Sequence, residues 1–411
     1  MTSVASPEIA VSKSGVAQVA ERAMLVIATI APAAGETGVQ THSRTLLSAF
    51  NAASVRCALQ TPVQAGAIWL PIFAMRPLMI SRINKTWSTW WLRHWHEMAL
   101  RHRLTRLASQ HQISSIIAQC PVSARAALAA RELAGKHFPV VMACHFNYSE
   151  ATEYRDKGEL SSQPFFEHVL AMEADVMKRV DCVIYVSRWA QQTVEHDRQI
   201  HPKRSIVIWN GIDRDVPATT LSRRDIGLNS DDLILISVGT LEPRKNQLAL
   251  VELFAKVAAR YPKAKLVLVG DGPSRSKIEL RIAELELTDR IVLLGFRKDV
   301  AALLPLADMY VHASLLENCP IVLLEAARAS LPIAAAPAGG VPELLEKLSG
   351  TALDLTDARS LDSLLASADA RREAGREARR LFEEYFTREV MIARYAEALQ
   401  VGAKYSTGAG S

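Results

Sequence analysis

Cysteine is sparse and unpatterned in this sequence. Its five copies (Cys57, Cys120, Cys144, Cys182 and Cys319) include no C-x-x-C pair, which argues against a disulfide framework and a thiolate zinc site. Several sit in apolar, strand-like runs, Cys144 in VVMAC and Cys182 in DCVIYV, and read as reduced core thiols. Long apolar runs are also lacking. The longest candidate, AGAIWLPIFAMRPLMI, is broken by Arg76 and two prolines, so no membrane span is expected. The opening MTSVASPEIAVSKSG has no basic region followed by an apolar one, so no signal peptide is expected and the reading is cytoplasmic. The one D-x-D, Asp213-Arg214-Asp215, falls in a polar linker and reads as structural. No cluster with metal-ligand spacing appears, and no metal or other cofactor is expected.

What is present is an ordinary globular composition, 49% apolar and 22% charged over 411 residues, enough for two or three domains. Short β-branched runs alternate with amphipathic segments from MLVIATI (24–30) to LPIAAAP (331–337). Near-continuous apolar strands of this kind point to α/β architecture, with parallel sheets covered by helices on both faces. The strands are too many for one doubly wound sheet. The polar stretch GIDRDVPATTLSRRDIGLNSDD (211–232) divides them. The expected organisation is a disordered N-terminus (1–22), a Rossmann-like domain (23–213), a linker (214–231), a second Rossmann-like domain (232–385) and a final helix and tail (386–411). The two sheets are expected to face each other across a deep cleft, with the final helix free to pack on either domain.

Three strand–loop–helix junctions carry polar groups to the carboxyl ends of strands, where open α/β sheets bind ligands. SVGTLEPRKN (237–246) presents Arg244 and Lys245, which suit a phosphate and equally suit a solvated basic turn. LVGDGPS (268–274) reads as a structural turn, and in LLGFRKDV (293–300) backbone groups near Phe296 and Arg297 could read a base edge.

The fourth junction, SLLENCPIVLLE (314–325), sets Glu317 and Glu325 eight positions apart, the second inside an apolar run. Pro320 suits position N1 of a helix from about Ile321 to Ala329. The free amides of Ile321 and Val322 would then offer an anion site. Both glutamates could point at that site as acceptors for hydroxyl groups. The competing reading for Glu325 is an i,i+3 pair with Arg328.

Taken in order, GTLEPRKN, LVGDGP, LLGF, ADMYVHAS, the E-x7-E pair and PAGGVPELL resemble the family 4 retaining glycosyltransferases of the GT-B fold. VIWNGID (207–213) and DCVIYVSRWAQQTV (181–194) extend the likeness. The resemblance implies a UDP- or GDP-sugar donor on the second domain and a glycan acceptor on the first. It places Arg244 and Lys245 on the diphosphate with the amides of Ile321 and Val322. Glu317 falls on the donor sugar, Glu325 on the ribose, and Gly239, Phe296 and Arg297 around the nucleotide. In the first domain it implies Gly38 of GETGVQTHSRTLL near the phosphates and His145 near the anomeric centre. It also implies retention of configuration without a metal or an enzyme nucleophile. The sequence departs from the family pattern at Thr37, Thr240, Ser330 and the segment Asn318-Cys319-Pro320, which bears on the sugar sub-site more than on the reaction class. The other functions open to such a chain are epimerase chemistry, a soluble acceptor, or a silent sugar-nucleotide-binding scaffold.

Residues 81–107, SRINKTWSTWWLRHWHEMALRHRLTRL, hold four of the seven tryptophans. Arg82, Lys85, Arg93, Arg101, Arg103 and Arg106 stand there against one acid, Glu97. An aromatic, basic helix suits an anionic membrane surface, as a lipid-linked acceptor for cell-surface polysaccharide would require; the alternative is a helix packed on the domain core. The expected location is peripheral, on the cytoplasmic face of the inner membrane. No nucleic-acid-binding module accompanies the patch.

Overall fold

The computed structural model describes residues 23–32 and 38–406. The expected disordered N-terminus, Thr37 and residues 407–411 lie outside the described residues. The chain forms two compact units. The first comprises the described residues up to Tyr185, together with Arg198–Ile208 and those from Met391 onward; the second is Val186–Asp197 with Trp209–Val390. Residues 186–197, read from the sequence as part of the first domain, therefore belong to the second unit.

The first unit holds a six-stranded parallel sheet of β1 (Met24–Ala28), β2 (Cys57–Gln60), β3 (Ile113–Ala118), β4 (Val140–Cys144), β5 (Cys182–Tyr185) and β6 (Ser205–Val207), in the order β2-β1-β3-β4-β5-β6. Helices α1 (Gly38–Ala52), α2 (Lys85–Gln110) and α3 (Pro121–Leu133) follow β1, β2 and β3. One face of the sheet packs Leu25, Ile27, Ile117, Val141 and Ile184 against Leu46 and Phe50 of α1 and Tyr395 of the C-terminal helix (Arg388–Ser406). From Met391 onward that helix thus belongs to the first unit, and the Tyr395 hydroxyl lies 2.9 Å from Nε2 of His42.

The second unit repeats the plan with β7 (Leu233–Val238), β8 (Ala264–Val269), β9 (Ile291–Gly295), β10 (Met309–His312), β11 (Ile333–Ala335) and β12 (Thr351–Ala352), ordered β12-β11-β10-β7-β8-β9. Side chains alternate across the sheet. Ile234, Ile236, Val267, Val269 and Tyr310 face one cluster, and Leu235, Leu266, Leu268 and Val311 face the other. The second face packs Leu250 and Phe254 of α4 (Gln247–Arg260), and the first packs Leu323 and Leu324 of α5 (Ile321–Arg328) and Leu344 of α6 (Val341–Leu348). Burial on both faces explains why these strands read as unbroken apolar runs. In each unit the strand order reverses beside the first strand, at β1/β3 and at β7/β10. Such reversal points are where an open α/β sheet leaves a crevice for a ligand.

Candidate active site

At the β7/β10 reversal the loops leaving the two strands lie side by side. The Leu315 amide donates to the Arg244 carbonyl at 2.8 Å, and the Arg244 guanidinium donates to the Leu316 carbonyl at 3.1 Å. A short turn, Pro243–Lys245, ends at Asn246 in the left-handed region (φ 56°) before α4 begins. That turn aims Lys245 at Glu317. The two side chains form an ion pair, with Arg244 at 3.5 Å from the same carboxylate and at 2.9 Å from Glu242. Glu317 is buried, 8% exposed. Burial opposes its charge, but His312 and Lys245 outweigh that and hold the carboxyl down at about 2. It is therefore ionised throughout the neutral range.

Two glycines set the height of the Glu317 loop. Gly339 has φ +62°, and a Cβ there would sit 2.2 Å from the Glu317 carbonyl; one on Gly340 would sit 2.0 Å from the Asn318 carbonyl. The Gly340 amide donates to the Glu317 carbonyl at 2.8 Å. Asn318 is hydrogen-bonded by the Ser187 hydroxyl, and Asn210 donates to the Cys319 carbonyl at 3.0 Å. The segment Asn318-Cys319-Pro320 is thus held from three directions. Burial pushes the Cys319 thiol up to about 12, so it acts as packing, not as a nucleophile.

Helix α5 starts at Ile321 as expected, but Pro320 is its N-cap residue, not its first helical position, and no side chain caps the start. The amides of Ile321 and Val322 are therefore open to an anion. Glu325 stands about one turn inside the helix, half-buried, and burial raises its pKa above the ordinary carboxylate range. The anticipated alternative, a contact ion pair with Arg328, is not seen among the described residues, although the Arg328 charge offsets part of the burial effect on Glu325; Arg328 donates to the Asp213 carbonyl at 3.3 Å. A helix that tucks Leu323, Leu324, Ala326 and Ala327 into the core leaves Glu325 on its remaining face, with no hydrogen-bond donor to it among the described residues.

The other nucleotide-side candidates lie at neighbouring strand ends. The Gly239 amide donates to the Val269 carbonyl at 2.9 Å, and the Gln247 side chain donates to the Thr240 carbonyl at 2.9 Å. Phe296, just beyond β9, is 61% exposed, an open aromatic face suited to a base. Arg297 is engaged by Asp299 at 2.5 Å. Asp213 pairs with Arg388 at 2.6 Å, in keeping with a structural role for the D-x-D. Among the described residues no group of three or more His, Cys, Asp or Glu side chains could hold a metal ion.

The first unit carries its own candidate. His145 follows β4, and its Nε2 lies 2.9 Å from Oε1 of Gln119 at the end of β3. Loss of hydration lowers its pKa to about 4. It lines a cavity of about 460 Å³ shared with Arg76, His96, Glu150, Glu153 and Tyr154. Glu150 is paired with buried Arg93 at 2.5 Å, and Glu153 accepts from the Asn147 amide at 3.0 Å. Gly38 opens α1, and a Cβ there would meet nothing within 4 Å of the described atoms. His145 and Gly38 belong to the first unit, while Arg244, Lys245, Glu317, Phe296, Ile321 and Glu325 gather in the second.

The arginine-rich helix is more deeply packed than its composition suggests. Arg93 is buried in its pair with Glu150, Arg103 donates to Gln60 at 2.8 Å, and Glu97 pairs with Arg125 of α3. Leu100, Leu104 and Leu107 are core residues, and the Trp91 indole donates to the Ile72 carbonyl at 2.9 Å. Its exposed tryptophans, Trp87 and Trp90, lie at the start of α2.

His312 was not singled out from the sequence. It ends β10, is buried, and its Nε2 faces Glu317 at 3.7 Å, with no hydrogen-bond partner for that nitrogen among the described residues. The signal was available in ADMYVHAS, a polar ring closing an apolar strand, as His145 closes VVMAC. Ser187 and Asn210 gave no such signal, because their partners lie more than a hundred residues away.

A family model described as Glycosyl transferases group 1 matches residues 219–381, and one described as Glycosyltransferase Family 4 matches residues 37–216. The chain is 25% identical over 310 residues to N-acetyl-alpha-D-glucosaminyl L-malate synthase of Bacillus anthracis, covering 73% of this chain and 78% of that one. It is 29% identical over 180 residues to the UDP-Gal:alpha-D-GlcNAc-diphosphoundecaprenol alpha-1,3-galactosyltransferase of Escherichia coli, covering 40% of this chain and 45% of the relative. Anabaena HepE, solved with UDP and glucose, superposes with a TM-score of 0.66 at 19% identity over 92% of this chain and 100% of that one, which shows the same fold.

Proposed function

Because the chain belongs to the family 4 glycosyltransferases of the GT-B fold, we propose that it moves a hexose, with retention and without a metal, from a UDP- or GDP-sugar to a lipid-linked glycan acceptor in cell-surface polysaccharide synthesis. The observation that carries the donor half is the charged cluster at the β7/β10 reversal, where Lys245, Arg244, Glu317 and the uncapped start of α5 converge. That the relatives include enzymes named for lipid-linked acceptors supports the acceptor half.

In this reading the diphosphate lies between Arg244, Lys245 and the amides of Ile321 and Val322. Fixed positive charge on the leaving group is the largest catalytic effect such a site can offer, and positioning the second. Glu325 accepts from the ribose hydroxyls, and Phe296 packs on the base. Glu317 accepts from donor-sugar hydroxyls while holding Lys245 in place. In the first unit His145, neutral at physiological pH, is the candidate for a hydrogen bond that adds no charge. The departing phosphate oxygen takes the acceptor proton, so no protein nucleophile is needed. No helix among the described residues is long and apolar enough to cross a membrane, and we read the chain as peripheral to the cytoplasmic leaflet.

The test is a panel of UDP- and GDP-sugars offered with a polyprenyl-diphosphate-linked sugar, with and without EDTA, and product configuration read by NMR. An α-linked product from an α-linked donor, formed in EDTA, is expected. Inversion, or activity abolished by chelation and restored by a divalent cation, would sink the mechanism. Binding without transfer or hydrolysis of any donor would make the protein a scaffold.

A further inference from the structure

Between β2 and α2 the chain forms four successive helical turns, Ala67–Trp69, Leu70–Met75, Arg76–Ile80 and Ser81–Ile83, and none buries a single residue. Their sequence, AIWLPIFAMRPLMISRI, is nonetheless as apolar as a core strand. Ile68 and Ile83 are each 80% exposed, Leu78 64%, Met79 57%, and Trp87 on the following turn 70%. Single exposed apolar residues need no explanation, but this many in one short segment mark an interaction surface. The segment is fixed in place. Arg76 donates to the Ser88 hydroxyl at 3.0 Å, the Trp91 indole to the Ile72 carbonyl, and the Asn84 side chain caps α2 at the Trp87 amide.

Charge identifies the occupant. From Thr37 through His96 the sequence contains no aspartate or glutamate, while Arg76, Arg82 and Lys85 fall among the exposed apolar residues. A second copy of this chain would bring the same basic face against itself. An anionic lipid surface complements it: apolar side chains enter the acyl boundary, tryptophan sits at headgroup level, and lysine and arginine meet lipid phosphates. A groove of about 470 Å³ lined by Trp87, Trp90 and Phe165 continues the apolar surface from the start of α2.

We infer that residues 67–87 are the membrane-docking element, inserting Ile68, Leu78, Met79, Ile83 and Trp87 into an anionic leaflet with Arg82 and Lys85 at its headgroups. The element is distinct from the packed arginines Arg93 and Arg103 further along α2. This deepens the peripheral reading above and rests on it, but vesicle binding needs neither donor nor acceptor, so the two can fail separately.

The test is sedimentation of the full chain with phosphatidylcholine vesicles, with and without phosphatidylglycerol, for wild type, Leu78→Ser/Ile83→Ser and Arg82→Gln/Lys85→Gln. Wild type should bind the phosphatidylglycerol vesicles, and each double variant should lose about tenfold or more of that binding, with donor hydrolysis unchanged in all three. Equal binding by all three proteins, or none by wild type, overturns the inference. So does a concentration-dependent dimer, without vesicle binding, that disappears in Leu78→Ser/Ile83→Ser. Transfer to a lipid-linked acceptor in detergent would then leave the transferase reading intact.

Discussion

Lys245 and Glu317 are ion-paired across the β7/β10 reversal, although they stand 72 positions apart in the chain. Each comes from the loop leaving a different strand, so the pair locks the two loops into one surface beside the start of α5. In the proposed function Glu317 has two tasks, orienting the cation and accepting from the substrate, and its loss should be felt in both stability and transfer.

Lys245→Met leaves Glu317 buried without its closest cation, which should cost about 3 kcal/mol of stability at neutral pH. The wild-type carboxyl is held at about 2, below the usual value of about 4.3. Its stabilising contribution is present above that usual value and is lost as pH falls toward 2. The deficit of the variant should accordingly shrink in acid. Adding Glu317→Gln should restore most of the stability and none of the transfer. Urea midpoints at neutral and acid pH check this, and a single variant as stable as wild type contradicts it.

Glu325 runs the other way. Its pKa is raised by burial, so its ionised form is costlier in the fold than in the unfolded chain. Any stability it contributes is present at low pH and lost as pH rises through the raised value. Glu325→Gln should thus stabilise the ligand-free protein at neutral pH, by an amount that vanishes in acid. The same change should weaken nucleotide binding about tenfold, since a hydrogen bond to a charged acceptor contributes about 1.5 kcal/mol. Thermal shift with and without UDP or GDP separates the two effects; a variant that loses stability and keeps affinity would return Glu325 to a structural role.

Gly340→Ala places a methyl group against the Asn318 carbonyl and must move the Glu317 loop. We expect a stability loss of about 1–3 kcal/mol with a fall in kcat. Wild-type kinetics in the variant would show that the loop is not held as described.

His145 is lowered to about 4 by burial and is neutral from pH 6 upward. The pH profile of kcat/KM should therefore show no step near 6.5 from this ring, and His145→Ala should reduce kcat with little change in KM for the donor. A wild-type step near 6.5 that His145→Ala removes would mean that the ring titrates in the working range.

Eleven of the strands fall within apolar runs visible in the sequence, because strands buried on both faces need no alternation to be recognised. The twelfth, Thr351–Ala352, is too short to leave a pattern. The residues proposed for the donor side could be picked out where a motif placed them on a strand end, as with Arg244, Lys245 and Glu317. The supports were not: Ser187 reaches Asn318 and Tyr395 reaches His42 only through the fold. Likewise the sequence read the arginines of residues 81–107 as one basic surface, whereas Arg93 spends its charge on Glu150 and the exposed apolar face lies before it.

The central claim, that a nucleotide diphosphate binds at the β7/β10 reversal, is tested most directly by calorimetric titration with UDP and GDP against uridine and guanosine, in wild type and Arg244→Gln. The account predicts that one diphosphate binds wild type about a hundredfold more tightly than its nucleoside, as two or more charge-assisted hydrogen bonds imply, and that this gap narrows about tenfold in the variant. Equal affinity for nucleoside and diphosphate, or a gap untouched by Arg244→Gln, would contradict it.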